Sequence, residues 1–105
     1  LLNLLQTPNK QMRTEAFKNL LLLQSDTAEF IPVLAKLTLA DKIDIDEILP
    51  FFNDRNKDCI PVFEQFLLDL LNNKKLKSAV AVAETLLYID EKNKKAEIFL
   101  KNLVL

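Results

Sequence analysis

Apolar residues recur at steps of three and four along most of the chain, the spacing that lines one face of an α-helix. The clearest stretch is 63–88. Phe63, Phe66, Leu67, Leu70 and Leu71 form one stripe, and the polar run 72–75 breaks it. Leu76, Ala79, Val80, Ala83, Leu86 and Leu87 then resume the same period. Two amphipathic helices joined by a few polar residues make an αα-hairpin. A lone hairpin cannot bury both stripes, so neighbouring elements must cover it.

The same pattern places the other elements. Residues 1–6 have the look of a helix tail. Thr7–Pro8 is a start signal, a hydroxyl followed by proline at the first helical position. The helix it predicts runs to about Gln24 with Met12, Ala16, Phe17, Leu20, Leu21 and Leu23 apolar. The unbroken run 20–23 implies cover on more than one side. Asp26-Thr27-Ala28-Glu29 resembles a capping box and predicts a helix to about Ala40, with Phe30, Ile31, Val33, Leu34 and Leu37 inward. Asp44-Ile45-Asp46-Glu47 repeats the signal ahead of a shorter helix to about Asn53. Asp58 is the expected cap of the first hairpin arm. Pro32, Pro50 and Pro61 follow these aspartates closely, and proline is tolerated only in a first turn. The helices are therefore expected to start near the prolines or to kink there. A charged turn, 90–95, precedes a last helix over about 94–104.

The pattern predicts an all-α fold without strands. Short connections make sequential helices pack antiparallel. The expected architecture is one helical-repeat domain, 1–105, of antiparallel αα-hairpins stacked as a short α-solenoid. A compact helical bundle is the alternative. The chain starts at Leu1, not methionine, and both ends are apolar, so a piece of a longer chain is expected, and a targeting segment could be missing with it.

Composition narrows this picture. Glycine is absent from all 105 residues, against an average near ~7%. That argues against the tight turns of β-hairpins. It also leaves helix C-termini to be closed without glycine, with Asn72, Asn73 and Asn93 as candidates. Charge nearly cancels at −1 but is unevenly placed: residues 26–69 hold four basic and ten acidic side chains, a net of −6. No strongly basic nucleic-acid footprint is present. One cysteine excludes an internal disulfide framework and favours a reducing, intracellular and cytoplasmic setting. No apolar run approaches the roughly 20 residues of a membrane span.

Residues 60–93 resemble a tetratricopeptide repeat, a helical hairpin of about 34 residues. Phe63, Phe66 and Leu70 stand at the spacings of that family's large residues in the first helix. Leu76 stands at the turn, Ala79 at the small position between the helices, and Leu86, Leu87 and Asp90 at the end of the second helix. Leu67 replaces the family's small residue in the first helix, Leu86 its second alanine, and Glu91 its closing proline. A shorter echo also exists, Ile31-Pro32-Val33-Leu34 against Ile60-Pro61-Val62-Phe63. The resemblance implies a protein-binding scaffold whose groove is lined by first helices, with Glu64, Leu68, Leu71 and Asn72 on the groove side. An ordinary packed hairpin of an irregular helical repeat or bundle is the competing reading.

Much chemistry is excluded. Without glycine there is no P-loop and no dinucleotide fingerprint. Without histidine there is no Ser–His or Cys–His nucleophile pair. One cysteine and no histidine exclude a conventional structural zinc site. The carboxylates Asp41, Asp44, Asp46 and Glu47 lack calcium-loop spacing and are read as helix caps and solvated charge. Lys74, Lys75 and Lys77, and Lys92, Lys94 and Lys95, are read as solvated loops. Cys59 is read as a half-buried small residue beside a helix start, and Tyr88 as a core-edge residue with a wet hydroxyl. The expectation is a non-catalytic protein–protein interaction or scaffolding module without cofactor or metal. Its partner is a protein or peptide, basic or neutral where it meets the acidic middle. Nucleic acid and membrane are not expected partners. Self-association or a regulatory bundle is the alternative.

Overall fold

The computed structural model describes residues 9–23, 27–53 and 56–103. Among them the chain forms six α-helices and no strand. They are α1 (Lys10–Leu23), α2 (Ile31–Leu39), α3 (Ile45–Ile48), α4 (Ile60–Asn72), α5 (Leu76–Ile89) and α6 (Lys94–Leu103). Short 3-10 turns over Thr27–Phe30 and Lys57–Cys59 lead into α2 and α4, and Leu49–Phe51 extends α3. The expected tail over 1–6, and the Thr7–Pro8 and Asp26 signals, lie outside the described residues.

Proline sets the helix starts. Pro32 and Pro61 are each the second residue of their helix, and Pro50 the second of its 3-10 turn. There the missing N–H costs nothing and the fixed φ suits the helix. This moves two starts later than the aspartate signals imply. Thr27–Phe30 is a 3-10 turn, and Asp58 lies inside another, so Cys59 precedes α4 with no side-chain cap. Asp44 does cap α3, its carboxylate accepting from the Asp46 N–H at 3.2 Å. At α1 the cap is Asn9, whose Oδ1 accepts from the Met12 N–H at 3.2 Å.

Two non-glycine residues close the glycine-free C-termini. Asp41 (φ 57°) and Lys74 (φ 58°) stand in the left-handed region. After α2, Asp41 N–H donates to Thr38 O and Lys42 N–H to Leu37 O; after α4, Lys74 N–H donates to Leu71 O and Lys75 N–H to Leu70 O. Both are Schellman closures. Of the asparagines expected there, Asn73 is the C-cap of α4, its Nδ2 donating to Asp69 O at 2.8 Å, while Asn93 instead caps the start of α6.

Helix direction follows from the contacts. α5 folds back on α4, and α6 on α5, so α4 and α6 run the same way. α2 packs on α4, and the 3-10 turns leading into the two touch, so α2 shares that direction. Polar links join α1 to the 41–47 segment in ascending order: Lys10 to Asp41, Arg13 Nε to Lys42 O, Thr14 Oγ1 from the Asp44 N–H, and Lys18 to Glu47. Hence α1 runs alongside α3 in its direction.

The core is continuous through all of this. Its largest fully buried side chains include Phe17, Phe52, Phe63 and Phe66. Phe63 meets Phe52 edge-on at 4.8 Å between ring centroids and stacks near Phe66 at 6.4 Å. Several expected core residues are instead exposed. Met12, Leu22, Leu23 and Leu76 lie on the surface, with Leu23 80% exposed, so the 20–23 run buries only Leu20 fully.

Candidate functional site

Glu64, Leu68 and Leu71 stand at i, i+4 and i+7 of α4, beside the buried stripe of Phe63, Phe66, Leu67 and Leu70. The structure gathers these three into one groove of about 410 Å³ between α4 and α6. Asn72 is exposed and does not line it. The other wall is Lys95, Ile98, Phe99 and Asn102 of α6.

One buried amide holds the two walls together. Asn93 is only 4% exposed. Its Oδ1 accepts from the Ala96 N–H at 2.9 Å, and its Nδ2 donates to Glu64 Oε2, also at 2.9 Å. The residue that starts α6 thus ties it to α4. Lys95 Nζ lies 3.5 Å from the other Glu64 oxygen. With Lys95 exposed and the separation long, that pair adds little energy. It does neutralise the acidic end of the groove. Beyond it the lining turns apolar, and Leu68 (47%) and Ile98 (58%) are large side chains left in water.

The α6 wall was not read from the sequence, although Ala96, Phe99, Leu100 and Leu103 recur at steps of three and four and mark a helix stripe. Ile98 lies off that stripe, and only the fold brings it to the groove.

The remaining candidates resolve differently. Asp41 pairs with Lys10, Asp44 caps α3 and Glu47 pairs with Lys18, so these carboxylates are engaged separately. Among the described residues no group of acidic or sulfur side chains could hold a metal ion. Cys59 is fully buried, not half-buried, with Sγ 4.0 Å from Asp58 Oδ1. Tyr88 is 70% exposed, well outside the core edge. Lys75 and Lys77 line a polar cleft with Lys10 and Asp41, while Lys92 lies near the far end of α5. No helix among the described residues is long and apolar enough to cross a membrane. Comparison of the chain with protein-family models, curated proteins and solved structures finds no match.

Proposed function

We propose that the chain is a non-catalytic protein–protein interaction module that presents the α4–α6 groove to an amphipathic helix or peptide of a partner. The observation that carries this is the water-exposed apolar lining, Leu68 and Ile98 above Leu71 and Phe99, framed by the Glu64–Lys95 pair. Contiguous exposed apolar surface rimmed by polar residues marks interaction sites, and apolar grooves between helices suit amphipathic helices.

Helix direction supports a scaffold of the α-solenoid kind. α2, α4 and α6 make one layer, α1 and α3 a second with α5 beside them. The links between same-direction neighbours span 29 to 31 residues, as in Arg13–Lys42, Glu64–Asn93 and Lys10–Asp41. The sequence echo at Ile31 and Ile60 has an offset of 29. Such a step fits one hairpin per repeat, and a tetratricopeptide-like reading puts the groove on the first helices.

The test is selection of helical peptides against the wild-type chain, with a Leu68→Asp/Ile98→Asp variant as counter-target. Peptides that lose about tenfold or more in affinity on that variant support the groove. Peptides blind to it place binding elsewhere and reject the proposal. A second reading, self-association, is favoured by Leu22 and Leu23, exposed at the end of α1. Light scattering over a concentration series detects it, and Leu22→Ser/Leu23→Ser abolishes it if that face is responsible.

A further inference from the structure

The layer of α3 and α5 carries a second cleft of different chemistry, about 460 Å³ in volume. Its apolar floor and wall are Leu49, Pro50, Ala81 and Tyr88. Two carboxylates, Asp46 and Glu84, stand on its rim. The α5 members recur at i, i+3 and i+7, so one helix face supplies them. Asp46 is committed to α3 through its backbone N–H, which Asp44 accepts. Its carboxylate, and that of Glu84, meet no protein donor among the described residues. The Thr85 hydroxyl in the same cleft is consumed by Ala81 O at 2.9 Å. Among the described residues no cation lines the cleft. Lys77 lines a neighbouring cleft that shares Asp46 but forms no ion pair with it. Lys57 and Lys92 flank the other side of Tyr88. The cleft is therefore apolar inside and twice negative at its edge, with Asp46 drawn from the acidic segment 26–69 and Glu84 from α5.

We propose that this cleft docks a basic, partly apolar segment of a partner protein. An arginine or lysine head sits between Asp46 and Glu84, and its aliphatic stem lies along Leu49 and Pro50. The flat face of Tyr88, 70% exposed, is available to an arginine plane. Long basic side chains suit such a place because the stem wants apolar surface and the head wants charge. The site lies on the layer opposite the α4–α6 groove and is independent of it.

The experiment uses a short fluorescein-labelled peptide of arginine and leucine, read by anisotropy at low and physiological salt. Its control carries citrulline, which keeps the shape of arginine and drops the charge. The arginine peptide is expected to bind about tenfold or more tightly than the citrulline peptide. Asp46→Asn/Glu84→Gln is expected to remove that difference and most of the salt dependence. Tyr88→Ala is expected to weaken binding a few-fold, about threefold. These side chains are exposed, so far-ultraviolet circular dichroism should be unchanged. Asp69→Asn/Glu97→Gln removes the same charge from the other layer and is expected to leave binding intact. The proposal is overturned if the arginine peptide does not bind, or if both double variants lose affinity equally. Loss on Leu68→Asp/Ile98→Asp instead would move the peptide to the groove and overturn it too.

Discussion

Where α1 meets the segment leading into α3, four polar links span the seam, from Lys10–Asp41 to Lys18–Glu47. Where α4 meets α5, no side-chain hydrogen bond crosses among the described residues. Phe63, Phe66, Leu67 and Leu70 close instead on Ala79, Val82, Ala83 and Leu86, all at most 3% exposed. Both seams stand beside the same backbone device, a Schellman closure without glycine. They differ in what holds them. The apolar seam supplies energy in proportion to area and tolerates small shifts. The polar seam supplies less energy but fixes register, since each bond is made at one alignment only.

The largest expected effect tests the apolar seam. Phe63→Ala removes a fully buried ring in contact with Phe52 and Phe66 and should cost about 3–5 kcal/mol in urea unfolding. Against a total of ~5–15 kcal/mol for a domain, that is a large share. A loss under about 1 kcal/mol would mean that the α4–α5 seam is not the main store of stability. Thr14→Val tests the polar seam. It keeps the shape but leaves the Asp44 N–H without its acceptor, and should cost about 1 kcal/mol. Its signature is local, with faster hydrogen exchange at Asp44–Asp46 and unchanged exchange in α5. Equal costs for the two variants would erase the distinction.

The same contrast explains what could be read from the chain alone. The hairpin α4–α5 was legible because its energy lies in apolar spacing, which periodicity reports directly. Glu64, Leu68 and Leu71 were named by the resemblance of that hairpin to a tetratricopeptide repeat, not by the spacing itself. Arg13, Thr14 and Lys18 were not legible as links. A polar residue on a helix has many available partners, and only the fold selects one. The left-handed positions Asp41 and Lys74 were missed for a related reason. With no glycine to mark the turn, the geometry is imposed by the Schellman bonds and not by residue preference. Leu22 and Leu23 misled in the other direction, since an apolar run says that cover is wanted and not that it is present.

Those two turns give a sharper and smaller test. A non-glycine residue in the left-handed region costs about 1–2 kcal/mol per residue, part of which glycine gives back in unfolded-state entropy. Lys74→Gly should therefore stabilise the chain by about 1 kcal/mol, read as a higher urea midpoint. Asp41→Gly should gain less. Aspartate tolerates this region better than lysine, and its side chain also accepts from Lys10 at 3.1 Å. If Asp41→Gly were the more stabilising of the two, the Lys10 link would contribute nothing to the α1 seam.

The smallest effect is on pH, and it separates the seams again. The hydrogen bond from Lys10, and then its charge, hold Asp41 below the usual carboxylate value. Its folded value is thus lower than its unfolded one, so the stabilisation is present above about pH 3.9 and is lost as pH falls through the folded value. Lys18 is shifted the opposite way. Hydrogen bonds to Glu47 and Glu15 raise it, so its contribution is present below about pH 10.4 and is lost as pH rises through the raised value. The α1 seam is therefore weakened at both extremes. The α4–α5 seam carries no ion pair between its helices to lose. Hydrogen exchange followed by mass spectrometry at about pH 3 should show residues 10–23 losing protection before 60–89 do, with Lys10→Met removing Asp41's share of the acid sensitivity. Protection that falls together in both segments would show that the fold opens as one unit and that the polar seam has no separate weakness.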